Sequence, residues 1–365
     1  MIFSNPSGMP ADWTLGFQRD GRELLIVMAK STYALPSPGG TPQPAPDQWP
    51  LIQADRFSGE PGHSAPTLET DYAHPKPACD VLLLGSAHAA SGRSARAVPV
   101  GLTVGSMRKG FRVVGHRRWE RRLTGVSASD PEPFRTLPIS YDVAFGGTDL
   151  TEVAQGRPAA YQPNPVGRGY WMHTDHIDGQ PLPNTEEFDA PIQQPSGQYR
   201  PMALSPLGRN WEGRAHLAGT YDRAWIERTA PFWPDDFDAR YFQAAPSDQV
   251  IPHPTGGESV VLANLTADGH RAFNLPNRRV PVTFIPYKGR DLTIEARIDT
   301  IVLLPDQDRF TMTWRVGLPL GRSVFDVREV VVGDMPRAWH RARQFPGKSY
   351  YPSLGALVRE RQRAR

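Results

Sequence analysis

Four side chains that can bind a metal ion or transfer protons lie close together in the stretch HTDHIDG. They are His173, Asp175, His176 and Asp178. Imidazole and carboxylate groups are common zinc ligands, and a metal-dependent hydrolase uses such ligands to hold an ion that activates water. No further cluster of His or Cys completes the set, so a polar loop is the alternative interpretation of this stretch.

One cysteine and a group of carboxylates are the other candidates for chemistry. Cys79 is the only thiol in the chain and directly precedes an apolar run, which is typical of a small buried hydrophobic residue. The carboxylates are Glu227, Asp235, Asp236 and Asp238. Two of them could form a general acid–base pair, but helix capping and solvated charge explain the same residues. Because no catalytic set is complete, we predict a protein that is not an enzyme and uses no cofactor or metal.

Aromatic and arginine side chains are concentrated in residues 221–249. The candidate partner-binding residues are Arg223, Trp225, Arg228, Phe232, Trp233, Arg240, Tyr241, Phe242, Gln243, Asp248 and Gln249. Aromatic residues and arginine are enriched at the centres of protein interfaces. We therefore predict that this segment forms or supports a partner-binding surface, with packing in the core as the alternative. Arg240 and Asp248 are expected to pair and fix the loop.

Short strands joined by many loops are predicted to position these residues. The 38 prolines and 33 glycines favour that arrangement over long helices. Apolar and polar residues alternate at 292–304 and again at 310–318, which predicts a long antiparallel hairpin with one buried face. Further strands are expected at residues 22–35 and 80–89, a hairpin at 98–119, and a third strand beside the long hairpin at 324–332.

The region between these strands is irregular. Residues 146–220 are rich in turns but contain tyrosine and tryptophan, which indicates a functional or tightly packed region. Two short helices are expected after it, at 220–230 and 234–245, the second capped by Asp235 or Asp236 and ended by Pro246. These patterns predict a mainly β fold of antiparallel, sandwich-like sheets with a few short helices and long irregular loops.

The length of 365 residues fits one large domain or two ordinary ones. We predict one domain over residues 1–333, with two β subdomains, about 1–150 and 151–333, as the alternative and a break within 146–160. Residues 334–365 form a basic tail with a net charge of +6, which leaves −3 for the rest because the whole chain carries +3. A body that is nearly neutral disfavours nucleic acid as a partner.

The compartment is predicted from what the sequence contains at its start and from its cysteine usage. The first residues carry neither the basic nor the apolar segment of a secretory signal. No window approaches the roughly 20 apolar residues that a membrane helix needs. A single cysteine suits a reducing compartment. We therefore expect a cytoplasmic protein that does not insert into membranes.

An ordered set of motifs points to a family. The motifs are RDGRELLIVMAKSTYAL, ADRFSGEPGHSAPTLETDYAHPKPACDVLLLGSAHAASGR, VGSMRKGFRVVGHRRW, PFRTLPISYDVAFGG, NPVGRGY, LPNTE, AGTYDRAWIERTAPFWPDDFDARYFQAAPSDQ and GGESVVLANLT. From about Arg19 to about Gly333, this set strongly resembles the family catalogued as domain of unknown function 2169. No single motif is decisive, whereas the ordered set is specific.

The resemblance implies a partner for the aromatic and arginine segment. Members of that family are found with type VI secretion systems and look like cytoplasmic adaptors or chaperones. Such proteins hold a toxin effector and help to load it onto the spike, which consists of VgrG and PAAR proteins. We therefore expect a toxin effector as partner, with VgrG and PAAR as further partners. The alternatives are a hydrolase that uses the acids and histidines of residues 173–189, and a structural component exported with the spike.

Overall fold

The protein is built mainly from short β-strands, as the sequence predicts. The computed structural model describes residues 1–123, 125–150, 156, 159–345, 347–348, 350–351 and 353–363. Strands make up 35% of the structure and helices 14%. These fractions confirm the mainly β fold with few short helices.

The elements have the following bounds. The strands are β1 (Ile2–Ser4), β2 (Ala11–Phe17), β3 (Glu23–Ala34), β4 (Arg56–Phe57), β5 (Pro66–Leu68), β6 (Cys79–Leu83), β7 (Gly85–His88), β8 (Ala97–Val104), β9 (Met107–Val114), β10 (Trp119–Arg122), β11 (Gly125–Ala128), β12 (Thr136–Ile139), β13 (Phe145–Gly146), β14 (Arg168–Gly169), β15 (Thr185–Glu186), β16 (Val250–Ile251), β17 (Ser259–Ala263), β18 (His270–Asn274), β19 (Pro281–Pro286), β20 (Leu292–Glu295), β21 (Arg297–Leu304), β22 (Arg309–Pro319) and β23 (Val327–Val332). The helices are α1 (Glu212–Ala215), α2 (Arg223–Arg228), α3 (Arg337–Gln344) and α4 (Leu354–Arg363).

A six-stranded sheet positions the candidate site. Its strand order is β16-β6-β21-β22-β3-β2, with β2 at one edge. The predicted strand at 22–35 is β3, which pairs antiparallel with both β2 and β22. Apolar side chains on one face of β3, such as Leu25 and Val27, belong to the main core. Those on the opposite face, such as Ile26, pack against Tyr72 in a smaller cluster, so this sheet is covered on both sides.

The predicted long hairpin is formed by β21 and β22, but its expected solvent face is also buried. Leu304 lies opposite Arg309 at the turn, as the sequence predicts. The prediction of one buried face is wrong, because Asp299, Thr313 and Arg315 on the polar face are buried as well. Arg315 forms an ion pair with Asp299. A buried charge is tolerated when it is paired and hydrogen-bonded, so the polar residues of this strand pair can face the interior.

The strands that flank the hairpin in sequence belong to a second sheet. Its order is β1-β23-β19-β20, and β23 pairs parallel with β1 and antiparallel with β19. The prediction that residues 324–332 add a third strand beside the hairpin is therefore wrong, although a strand is present there. Residues 292–295 also leave the hairpin and pair with β19. The alternation of apolar and polar residues runs without a break from β20 into β21, because the chain stays extended as it passes from the second sheet into the six-stranded sheet.

A third sheet has the order β15-β9-β8-β17-β18. Strands β8 and β9 form the hairpin expected at 98–119, with Val104 opposite Met107. All three larger sheets combine strands from before residue 150 with strands from after it. A boundary within 146–160 would therefore separate hydrogen-bonded strands, and residues 151–155 and 157–158 of that interval lie outside the described residues.

The described residues of the irregular region 146–220 pack tightly, which is one of the two alternatives that the sequence offers. Phe145 lies at its centre, with the rings of Tyr161 and Tyr199 packed edge-on at centroid distances of 5.0 and 4.9 Å. Buried Asn164 donates to the backbone oxygens of Tyr141 and Phe145, at 2.9 and 3.0 Å. Aromatic packing and side-chain bonds to the backbone thus replace regular strand pairing here.

The basic tail contains α3 and α4, and residues 346, 349, 352, 364 and 365 of it lie outside the described residues. Arg343 of α3 pairs with Asp291 at 2.6 Å and stacks on Trp339 at 4.8 Å. Within the described part of the chain, no helix has the length and apolar character needed to cross a membrane.

Candidate protein-interaction site

The segment 221–249 contains one of its two predicted helices. Helix α2 begins after Asp222, whose carboxylate accepts a hydrogen bond from the Trp225 backbone N–H at 2.8 Å. The predicted helix at 234–245 is wrong: only a 3₁₀ turn, Ala239–Phe242, forms there. Asp238 caps this turn by accepting from the Arg240 N–H at 2.8 Å. Asp236 instead accepts from the backbone N–H and the hydroxyl of Thr220, which closes a loop rather than starting a helix.

Three aromatic side chains at the front of the segment form a ledge, which we call the aromatic ledge: Tyr221, Trp225 and Phe232. The Trp225 indole N–H donates to the Phe232 backbone oxygen at 2.8 Å, and the Tyr221 ring packs edge-on against it at 4.8 Å. Tyr221 remains 54% exposed and Phe232 46% exposed. A Cβ atom at Gly21 would overlap the Phe232 ring, so the turn before β3 holds that ring in place.

Predicted arginines surround this ledge. Arg223 and Arg228 are exposed on α2, and Arg223 pairs with Glu227 at 2.7 Å one helical turn away. Exposed pairs of this kind contribute only ~0.3–0.5 kcal/mol to stability. The two arginines are therefore accessible to a partner at little cost to the fold.

Behind the ledge, five rings pack against one another, and we call them the ring cluster: His74, Trp233, Phe237, Tyr241 and Phe242. His74 stacks on Phe242 at 4.6 Å and meets Trp233 edge-on at 4.9 Å. Phe237 joins Trp233 to Tyr241. Burial, and to a smaller extent nearby Arg315, lowers the pKa of His74 to about 4. The ring is therefore neutral at pH 7 and stacks without a charge.

The rear of the segment is attached to the central sheet, and we call this attachment the rear anchor. The fully buried Asp80 carboxylate accepts from the Ala244 N–H at 2.7 Å and pairs with Lys76 at 2.6 Å. Gln249 donates its side-chain amide to the backbone oxygens of Val81 and Leu204, at 2.8 and 3.0 Å. The rear anchor thus fixes the chain on both sides of Pro246.

Two predicted site residues, Gln243 and Gln249, are buried. Gln243 approaches Asp80 at 3.4 Å. The carbonyl oxygen of Gln249 accepts from the Lys109 ammonium at 2.8 Å. Because they are buried, these two residues can support a partner-binding surface but cannot contact the partner themselves.

The expected pair between Arg240 and Asp248 does not form. The Arg240 guanidinium donates to Asp238 at 2.8 Å. Asp248 pairs with Lys109 at 3.0 Å and with Arg200 at 2.9 Å. Burial lowers the pKa of Lys109, and the Asp248 carboxylate offsets part of that effect. A buried ammonium requires a carboxylate more strongly than an exposed guanidinium does, which explains why Asp248 faces Lys109.

Arg214 is a supporting residue that the sequence gives no means of finding. Its guanidinium donates to the backbone oxygen of Tyr241 at 2.8 Å and lies 5.6 Å from the centroid of that ring. It is buried and forms an ion pair with Glu69. Burial raises the pKa of Glu69, but the ion pair and hydrogen bond with Arg214, together with nearby Arg209 and Lys76, bring it below its usual value. Arg214, Glu69 and Tyr241 are far apart in sequence, and no spacing pattern joins them.

Two depressions flank the segment. The front groove has a volume of about 470 Å³ and is lined partly by Phe17, Trp233, Phe242, Ile294 and Pro319, with Arg19 and Arg297 among its charged residues. The rear cavity has a volume of about 880 Å³, and its lining includes Arg200, Arg214, Arg240, Gln243 and Asp248. Both depressions therefore combine apolar walls with charged residues, and the front groove is the one that borders Trp233 and Phe242 of the ring cluster.

A comparison with known families matches residues 20–315 to a family described as an uncharacterized protein conserved in bacteria, DUF2169. The chain belongs to this family. The DUF2169 match includes the aromatic ledge, the ring cluster and the rear anchor, whereas β2, β23 and the basic tail lie outside it. No curated protein and no solved structure matches the chain.

Two other sequence candidates of this DUF2169 chain, the HTDHIDG stretch and Cys79, line neither the front groove nor the rear cavity. In the HTDHIDG stretch, Asp178 accepts from the Arg121 N–H at 2.8 Å and Asp175 lies 3.9 Å from the Arg121 guanidinium. Among the described residues, no group of three or more His, Cys, Asp or Glu side chains is arranged to hold a metal ion. Cys79 is fully buried, and burial raises the pKa of its thiol, which disfavours the nucleophilic thiolate.

Proposed function

We propose that this DUF2169 protein is an adaptor or chaperone that binds a type VI secretion toxin effector in the cytoplasm. It then assists the loading of that effector onto the spike of VgrG and PAAR. The observation that supports a binding role is the aromatic ledge, whose rings are exposed at Tyr221 and Phe232 and partly exposed at Trp225, and are fixed by the fold before any partner arrives. The family resemblance supplies the class of partner.

Pre-organisation is the physical basis of the proposal. Ordering a side chain on binding costs roughly 0.5–1.5 kcal/mol, and the Trp225 and Phe232 side chains are already held by a hydrogen bond and by the turn at Gly21. Large aromatic side chains that are desolvated on binding commonly contribute ~2 kcal/mol or more each. A ledge of three rings therefore provides a binding surface without rearrangement of the chain.

The proposed mechanism is reversible burial. An apolar segment of the effector covers the ledge and enters the front groove, which protects that segment from aggregation until the spike accepts it. The binding energy comes from removing apolar surface from water, so no nucleotide or covalent step is required. Release follows when the spike offers the same effector surface a more favourable contact.

Co-purification tests this proposal. The protein is co-expressed with candidate toxin effectors drawn from the genes that neighbour its own, and the variants are Trp225→Ala, Tyr241→Ala and Phe242→Ala. The matched control is Phe325→Ala, because Phe325 is 82% exposed and lies outside the segment. We expect Trp225→Ala to lose the toxin while its melting temperature changes little, and the control to retain it. If the wild-type protein does not bind the toxin, or if all three variants still retain it, the proposal is wrong.

A further inference from the structure

The free edge of the six-stranded sheet lies beside the proposed binding surface. Strand β2 pairs only with β3, in a register that places Ala11 opposite Ala29 and Phe17 opposite Glu23. Just beyond the two ends of this pairing, Gln18 donates to the Arg22 oxygen at 2.8 Å and Lys30 donates to the Pro10 oxygen at 2.9 Å. Hydrogen-bonded pairs alternate along an antiparallel ladder.

This alternation decides which peptide groups point away from the sheet. The even-numbered residues of β2 bond to β3, so the N–H and C=O groups of the odd-numbered residues face outward. These are Ala11, Trp13, Leu15 and Phe17. The Trp13 N–H is occupied, because it donates to the Asp12 side chain at 2.9 Å. Within the described residues, the outward groups of Leu15 and Phe17 have no hydrogen-bond partner.

The side chains of the open half of β2 are apolar and exposed. Leu15 is 42% exposed and Phe17 is 55% exposed. Folded proteins usually protect an edge strand with lysine, proline, a bulge or a covering loop. Asp12 protects the first half of β2 in this manner, whereas Leu15–Phe17 carry no such protection. An open edge with exposed apolar side chains is the geometry that accepts an added strand.

The open half leads directly into the front groove. Phe17 and Arg19, at the end of β2, line the groove together with Trp233. Arg19 and Arg297 are exposed at its rim, and neither forms a salt bridge within the described part of the chain. A strand laid along Leu15–Phe17 would therefore continue past two cations, which favours a segment that carries an acidic residue beyond its apolar part.

A second copy of this chain fits the edge less well. In a symmetric antiparallel pair centred on Thr14, the open half of each copy would face the protected half of the other. Trp13 would then have to exchange its bond with Asp12 for one across the interface, in both copies. A strand from a different protein avoids this cost by using only the open half, whereas a second copy avoids it only in a register centred on Gly16, which pairs Leu15 with Phe17 and places Trp13 opposite Arg19.

We propose that Leu15–Phe17 receives an extended segment of the effector as an added β-strand. This segment has apolar side chains at alternate positions and is followed by an acidic residue that reaches Arg19 and Arg297. The inference rests on the proposed function and deepens it, because it states how the effector is held. Main-chain hydrogen bonds supply part of the affinity, so segments of different sequence are accepted.

The experiment compares two substitutions at one position. Leu15→Pro removes the outward N–H but none of the bonds to β3, and edge strands accept proline where the N–H faces solvent. Leu15→Ala shortens the side chain and keeps the N–H. The probe is the purified candidate effector of the co-purification test, with affinity measured by interferometry and stability by thermal melting. We expect Leu15→Pro to bind about tenfold more weakly and Leu15→Ala only about threefold more weakly, both with nearly wild-type melting temperatures.

Hydrogen exchange and light scattering complete the test. Binding of the toxin should slow amide exchange in the peptide that covers β2 of the wild-type protein. Unchanged affinity of Leu15→Pro, or unchanged exchange in β2 despite toxin binding, would contradict the added β-strand. The proposed adaptor function would not be affected by either result. Absence of toxin binding to the wild type would overturn both. A dimer of the free protein that Leu15→Pro converts to a monomer would assign the edge to a second copy instead.

Discussion

The front and the rear of the segment 221–249 are held in different ways. At the front, the aromatic ledge is attached by one indole hydrogen bond and by contact with a turn. At the rear, the Ala244 N–H donates to the buried Asp80 carboxylate, and the Gln249 side-chain amide donates to the Val81 backbone oxygen. The buried Arg214 guanidinium donates to the backbone oxygen of Tyr241. The rear therefore contributes to the free energy of unfolding, whereas the front leaves apolar surface for a partner.

The difference separates the residues of one continuous stretch that contribute to the free energy of unfolding from those that can contribute to the free energy of binding a partner. Burying a polar group without a partner costs about 1–3 kcal/mol, and more when the group is charged. The loss of any one hydrogen bond at the rear therefore lowers the free energy of unfolding. An exposed ring costs the fold little when it is removed, because its surface was already in water. Substitutions that act on stability should therefore map to the rear, and substitutions that act on binding should map to the front.

The largest expected effect comes from Asp80→Ala at the rear. The substitution removes the carboxylate that pairs with Lys76 and accepts from the Ala244 N–H, and it leaves a buried ammonium unpaired. We expect the free energy of unfolding to fall by about 3–5 kcal/mol, measured by urea denaturation. The matched control is Asp236→Ala in the exposed front loop, for which we expect a much smaller loss. Equal losses for the two variants would show that the rear is not the structural half.

The next effect is expected at the front, in Phe232→Ala. This substitution removes an exposed ring that the turn at Gly21 supports. We expect the affinity for the toxin to fall by about 2 kcal/mol, or roughly thirtyfold, with a much smaller change in the free energy of unfolding. The two quantities are measured by interferometry and urea denaturation on the same preparation. A loss of stability as large as the loss of affinity would place Phe232 in the structural half.

A smaller effect is expected from pH at the ring cluster, between the two halves. The pKa of His74 falls from 6.5 to about 4 on folding, mainly through burial. The unfolded chain therefore binds a proton at a higher pH than the folded chain does. The stability that the neutral ring contributes is present above pH 6.5 and is lost as the pH falls from 6.5 toward 4.

The variant His74→Phe isolates this titration, because it keeps a ring on Phe242 and removes the ionisable nitrogen atoms. We expect the free energy of unfolding of the variant to depend less on pH between 6.5 and 4.5 than that of the wild type. The difference in slope is at most about 1.4 kcal/mol per pH unit, and it should be smaller because the half-buried ring is partly screened. Parallel pH profiles for the two proteins would contradict the lowered pKa.

The sequence predicts those features that depend on local patterns. Alternation along β22 and the hairpin of β8 and β9 are local, as is the helix expected within residues 220–230, and these are found in the structure. The sequence does not predict that Arg315 is buried with Asp299, because alternation alone assigns a polar residue to solvent. Their pairing depends on the residues that cover the second face of the sheet.

The same limit applies to the candidate site. Composition locates the aromatic and arginine segment, but it does not separate the exposed Arg223 from the buried Arg214. From neighbours in sequence alone, Asp248 is predicted to pair with Arg240. In the structure it pairs with Lys109, which lies on β9 and is distant in sequence. Distant partners thus decide which residues present a surface and which support it.

The smallest effect is expected from deleting residues 350–365 of the basic tail. The deletion removes four arginines and one glutamate, and none of the described residues of α4 is buried, so the free energy of unfolding should change little. Exposed charges are screened within about 10 Å at 0.1 M salt. If the tail attracts an acidic surface of the effector or the spike, we expect the deletion to weaken toxin binding severalfold at about 0.05 M salt and less than twofold at about 0.5 M.

A charge-neutral tail is the control for this deletion. The triple substitution Arg359→Gln, Arg361→Gln and Arg363→Gln keeps the helical segment and removes three of its charges. The same salt-dependent loss in this variant would assign the effect to charge, and a loss in the deletion alone would assign it to the chain itself. Unchanged affinity of the deletion variant at both salt concentrations would exclude the tail from binding. The front of the segment would then remain the surface on which the proposed adaptor function depends.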